Sequence, residues 1–332
     1  MTDLATPLLP EAEGMPEAPP TDVEGLAVTS LSPRQMAVRR FLRHKPAVLA
    51  TVVLVIMILF VLLAPLTARY GINEAIFEST ADGGSNRYLA PSSDAWFGTD
   101  EIGRDLYSRL IFGTRVSLAI GLAAAVIGVV IGTFIGAYAG IRGGLFDDVM
   151  MRLTDIFLAF PFLVALLVMR NMLGEIEWLT PVVGDRTSIR FVILLLAVFG
   201  WMPVARVVRG QVLALKEREF IEASRALGAK TQRIVVRHLL PNAIGPILVA
   251  LTFSVVFAVI AESTLGFFGY GPQVGSGATS LGILVGSSKA NVLTGNWWMV
   301  VFPCAALLLV ALTINMFGDG LRDATDPKLI RH

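Results

Sequence analysis

The chain has 332 residues, 55% hydrophobic and only 16% charged, against about 25% charged in an ordinary soluble protein. The apolar residues fall in blocks, which excludes a cytosolic enzyme, and a net charge of +1 gives no basic excess for nucleic acid. A single cysteine (Cys304) and three scattered histidines (His44, His238, His332) exclude a disulfide framework and a thiolate zinc cluster. The composition is that of an integral membrane protein.

Residues 1–30 carry six acids, five prolines and no basic residue. Such a segment buries too little apolar surface to offset its ordering entropy, and a disordered cytoplasmic tail is expected. A basic stretch, 31–45, leads into the first apolar block. That block starts too late and runs too long for a cleaved signal, so it reads as a retained anchor.

A bilayer core of about 30 Å needs roughly 20 helical residues. Six blocks qualify, near Pro46–Leu66, Val116–Gly140, Val149–Met169, Phe191–Val208, Ala243–Leu265 and Trp297–Phe317. The fold class is therefore all-α with six transmembrane helices. Residues 67–115 form an extracytoplasmic loop, 116–317 a five-helix core, and 318–332 a second tail. With the N-terminus inside, 18 of the 27 basic residues fall on inner segments. That bias places both termini in the cytoplasm.

In the second block Gly128, Gly132, Gly136 and Gly140 recur every four residues. This spacing puts small residues on one helix stripe and lets another backbone approach closely. Asp155 and Glu262 are the acids placed deepest in the apolar blocks. Each either lines a pore or subunit interface or makes a structural hydrogen bond. Trp297 and Trp298 sit where an aromatic belt is expected. The interleaved charges Asp100, Glu101, Arg104, Asp105 and Arg109 suit a salt-bridged loop packed on a partner subunit.

Eight basic and three acidic residues occupy 206–238. Leu213, Leu215, Phe220, Ala223, Ser224 and Leu227 supply the apolar side of a short helix, ended by Gly228. Ile234, Val235, Leu239 and Leu240 suggest a second helix, stopped by Pro241. Gly228-Ala229-Lys230-Thr231 is not a phosphate loop, because Ala229 separates glycine from lysine and the context is helical. No catalytic residue set and no metal-ligating set is found. A self-sufficient secondary transporter would need an internal repeat or an intramembrane ion site, and neither is visible.

Glu222-Ala223-Ser224, Gly228 and Leu240-Pro241 resemble the EAA loop, here 209–241, of permease subunits in binding-protein-dependent ABC importers. Ser224 stands where that pattern has a second alanine, and His238 where it has isoleucine. The stretch from Phe97 through GTDEIGRDLYSR (Gly98–Arg109) is similar to the dipeptide/oligopeptide permease branch, the DppC/OppC type. So are Arg152, Asp155 and Pro161; Glu262, Leu265, Gly266, Phe268 and Gly269; and Asn315 with Gly318–Asp323 and Asp326-Pro327.

The resemblance implies a type I importer (MetI-like) permease fold in a prokaryotic inner membrane and a peptide substrate; close relatives carry nickel or other small solutes. It further implies half a pore completed by a second permease subunit, two ATPase subunits that hold the ATP and magnesium, and an extracytoplasmic solute-binding protein. The chain itself would hold no cofactor. Glu222, Ala223, Ser224, Gly228, His238, Leu240 and Pro241 would couple it to the ATPase.

Overall fold

The computed structural model describes residues 33–76, 87–272, 279–291 and 294–325; among them helices are the regular elements, with two isolated bridges, Ala75 with Arg104 and Thr99 with Asp105. The acidic tail and the Asp326-Pro327 pair lie outside the described residues. So does the middle half, 273–278, of the glycine-rich stretch 271–282.

A basic helix, α1 (Pro33–Arg43), leads into α2 (Lys45–Leu62), whose N-cap His44 accepts a hydrogen bond from Ala47 N–H at 3.1 Å through Nδ1. After the outer loop, α3 (Leu106–Arg142) runs for 37 residues. At 1.5 Å per residue it is about 55 Å long, far beyond a bilayer core. Its cap Asp105 accepts from Ser108 N–H at 2.9 Å.

The third apolar block is not one straight span. It divides into α4 (Gly144–Ala159) and α5 (Phe162–Gly174), bent by 106°. Pro161 lacks an N–H and pushes Phe160 into an extended conformation (φ −75°, ψ 143°), which ends α4. Then come α6 (Ile189–Lys216), α7 (Glu219–Ala226), α8 (Leu240–Phe267), α9 (Leu281–Ser287) and α10 (Trp298–Thr325). Among the described residues, five helices are long and apolar enough to cross a membrane, or six with the bent pair as one span.

Pro241 does not stop a helix as its position suggested. A turn at Thr231–Ile234 and a π-helical stretch at Val235–Leu239 run straight into α8, leaving Pro241 in its first turn. The π-helical stretch just before it shifts the hydrogen-bond ladder, which lets the helix pass the proline's missing N–H without ending.

The glycine stripe of α3 lies against α6. A Cβ on Gly132 would fall 2.5 Å from Trp201 O, one on Gly136 would overlap Ala205 O, and one on Gly140 would lie 2.9 Å from Val212 Cγ1. The two backbones thus meet where side chains would hold them apart. Two apolar clusters flank the seam. Ile120, Leu166, Phe191, Leu195, Phe199 and Leu265 join α3, α5, α6 and α8. Val129, Val204, Val208, Val212, Ile221, Ile234 and Leu239 tie α3 and α6 to the polar segment that follows.

Candidate functional site

The segment between α6 and α8 is assembled from inside outward. Arg218, at the start of α7, is extended (φ −85°, ψ 142°) and turns the chain out of α6. Ile221 is then fully buried against the α6 valines. This residue, absent from the sequence-based apolar side, is the anchor. Leu213 and Leu215 belong to α6, while Phe220 and Leu227 point outward, Leu227 being 89% exposed.

Glu222 and Ala223 are exposed on the same small helix, and Ser224 Oγ donates to Phe220 O at 2.8 Å. Gly228 has φ +76° with no atom within 4 Å of where a Cβ would stand. It is needed for its left-handed backbone rather than for space. Its N–H donates to Arg225 O at 2.9 Å, and Ala229 N–H to Ser224 O at 3.1 Å, closing the helix end. His238 O accepts from Asn242 Nδ2 at 2.6 Å, Leu240 is half-buried, and Pro241 is exposed. Glu222, Ala223, Ser224 and Gly228 therefore share one protrusion, held to α6 by Ile221, whereas Leu240 and Pro241 lie in the first turn of α8 beside Val129, Val130 and Phe134 of α3.

Two ion pairs hold α4 to α6 on this side. Arg209 Nη2 lies 2.6 Å from Asp147 Oδ2, and Arg206 pairs with Asp155 while its Nε donates to Thr154 Oγ1 at 3.2 Å. Asp155 is exposed, so it makes a surface ion pair. Glu262 is different: it is fully buried. Its Oε2 accepts from Ser117 Oγ at 2.7 Å, and Ser117 Oγ accepts from Leu281 N–H at 3.0 Å. This node joins α3, α8 and α9, so Glu262 makes a structural hydrogen bond inside the chain, with its Oε1 buried and unpartnered there.

At the opposite end of the molecule the loop before α3 folds on its own chain. Asp100 is 1% exposed and Arg109 6%. Asp100 Oδ1 accepts from Ile102 N–H at 3.0 Å and Arg104 N–H at 2.9 Å; Oδ2 accepts from Arg104 Nε at 2.7 Å and from Arg109. Burial alone would raise the carboxyl's pKa, but Arg109, the two backbone N–H groups and Arg104 outweigh it and hold it below its ordinary value. Trp298 Nε1 donates to Thr99 O at 3.3 Å, and Phe97 stacks on Phe302 at 4.0 Å. Asp100, Arg104 and Arg109 of the charge-rich loop thus pair with one another within the chain, while Asp105 Oδ1 and Arg109 Nε are buried without a partner in it. Trp298 is buried beneath this loop instead of sitting in an aromatic belt; Trp297 remains exposed.

Among the described residues no group of three or more His, Cys, Asp or Glu is placed to hold a metal ion. Two family models match the chain: "Binding-protein-dependent transport system inner membrane component" over residues 128–331, and "N-terminal TM domain of oligopeptide transport permease C" over residues 32–91. This chain belongs to that permease family. The dipeptide transport permease DppC of Bacillus subtilis is 37% identical over 91% of this chain and 88% of its own length. The oligopeptide transport permease OppC of Escherichia coli is 39% identical over 92% of this chain and 94% of its own. A solved inward-facing structure of the MetNI methionine ABC transporter covers 66% of this chain and 96% of that one, with 25% identity and a TM-score of 0.51. The permease is accordingly a multi-pass inner-membrane protein with a MetI-like, type I importer fold.

Proposed function

We propose that this permease forms half of the translocation pore of an ATP-driven peptide importer and is driven through the protrusion around α7. The reading rests on that protrusion, which is anchored from beneath by Ile221 and offers Phe220, Ala223 and Leu227 to a surface the chain does not supply. Two exposed large apolar side chains on so small an element suit insertion into a partner's groove.

The partners are a second permease subunit, two ATPase subunits that bind ATP and magnesium, and an extracytoplasmic binding protein that delivers the peptide. The protrusion and both chain termini then lie on the cytoplasmic side. Closure of the ATPase dimer pushes the protrusion, α6 carries the push to α3 across the glycine seam, and the outer ends part. Glu222 and Arg225 orient the helix at the ATPase surface, and Gly228 allows the sharp return towards α8.

The test is Gly228→Pro in the assembled importer, reconstituted in liposomes. Proline cannot adopt φ +76° and removes the N–H bonded to Arg225 O. The variant should insert and assemble yet lose peptide uptake and peptide-stimulated ATP hydrolysis. Normal uptake by this variant would end the proposal.

A further inference from the structure

Arg170 occupies the last turns of α5, in an otherwise apolar helix, and among the described residues no carboxylate lies within ion-pair distance of it. Its guanidinium makes one hydrogen bond, from Nη2 to Arg186 O at 3.4 Å, while Nε is buried without an acceptor. The Tyr270 ring, just beyond α8, lies 5.0 Å from Arg170 Cζ. On the other side Arg186 adds like charge, its side chain laid over Gly174, where a Cβ would overlap it.

The loop's three acids leave Arg170 without a carboxylate. Glu175 is exposed and loosely paired with Arg186 at 3.8 Å, Glu177 is exposed, and Asp185 Oδ1 is taken up by Thr187. A guanidinium in a membrane helix, with a second beside it and its own hydrogen bond to Arg186 O stretched to 3.4 Å, is short of an anion. The place is informative too. Tyr270 follows the far end of the 28-residue α8, about 42 Å from the protrusion at its start, and so belongs to the entry side.

We infer that Arg170 and Arg186 form an entry-side subsite for a carboxylate, the C-terminal carboxylate of the incoming peptide. The inference rests on the peptide-importer reading above. A carboxylate is planar and matches the forked edge of a guanidinium, and every linear peptide carries one whatever its sequence. Tyr270 and Gly174 act as positioning residues: one stacks on the Arg170 cation, the other leaves room for Arg186 to approach.

The experiment uses the complete importer in liposomes and compares Arg170→Gln, Arg170→Lys and wild type on one tripeptide as free acid and as C-terminal amide. Taking each variant relative to wild type for the same peptide cancels the binding protein's own preference. Arg170→Gln should raise KM for the acid about tenfold or more, leave the amide unchanged, and be partly rescued by Arg170→Lys. Equal loss for both peptides, or none for either, overturns the inference.

A second readout needs no transport of the amide. Phenylglyoxal modification of Arg170, followed by mass spectrometry, should be slowed by the free-acid peptide and not by its amide. Protection by phosphatidylglycerol alone would assign the site to lipid and overturn the peptide reading. Failure of wild type to import either peptide would instead strike the proposed function.

Discussion

The two ends of this permease are built on opposite terms. At the outer end Asp100 and Arg109 are buried and paired with each other, and Trp298 closes the loop with a hydrogen bond to Thr99. At the other end α7 is held by one buried residue, Ile221, while Phe220 and Leu227 stand exposed. The first loop pairs most of its buried charges within the chain; the protrusion leaves large apolar side chains exposed, which the proposed function assigns to another protein. The contrast teaches where damage should appear as lost folding and where as lost transport.

Removing the Asp100 carboxylate should cost most. Asp100→Ala leaves Arg109 buried without its counter-ion, a loss of about 3–5 kcal/mol, and thermal unfolding in detergent should record it. If Asp100→Ala melts like wild type, the outer end is not self-sufficient. Ile221→Ala comes next, since truncating a fully buried isoleucine costs about 2–5 kcal/mol where the site cannot collapse. Here the loss should be local, seen as faster hydrogen exchange in 217–240 with the rest of the chain unchanged. Global destabilisation would mean the protrusion is part of the core.

Leu227→Ser should be the converse case. At 89% exposure it should shift stability by no more than about 0.5 kcal/mol, yet lower peptide-stimulated ATP hydrolysis by the assembled importer. Unaltered hydrolysis would show that α7 uses another face. The smallest effect concerns pH. Because Asp100's folded-state pKa lies below its ordinary value of 3.8, its contribution to stability is present above that value and fades only as pH falls through the depressed folded value. Proteolysis of the outer loop should therefore be flat from neutral pH down to about pH 4, and loosening well above that would contradict the pairing.

The bilayer made much of the fold legible. A helix of about 20 residues satisfies its own backbone in hydrocarbon, so long apolar blocks mark helical spans directly. The glycine spacing in α3 likewise reported close contact, although nothing in that stripe named α6 as the neighbour. What stayed hidden depends on long-range choice. Pro161 is visible, but tolerated prolines occur in α6, α8 and α10 as well, and only packing decides which one bends a helix by 106°. Ile221 is one apolar residue among charges, too little to set a period. The Asp100 loop displays its charges without saying whether they meet one another or a second subunit. Arg170 stood out only once the surrounding carboxylates could be located and found to lie elsewhere.

The length of α3 has a mechanical consequence. A rod of about 55 Å pivoting through roughly 5° swings its far tip by about 5 Å, close to one helical pitch. The far tip can thus travel the width of a side chain while contacts near the fulcrum change by only fractions of an ångström. In the proposed importer, such a rod packed along α6 would turn a shallow nudge into a wide opening without any step in which the interior must come apart.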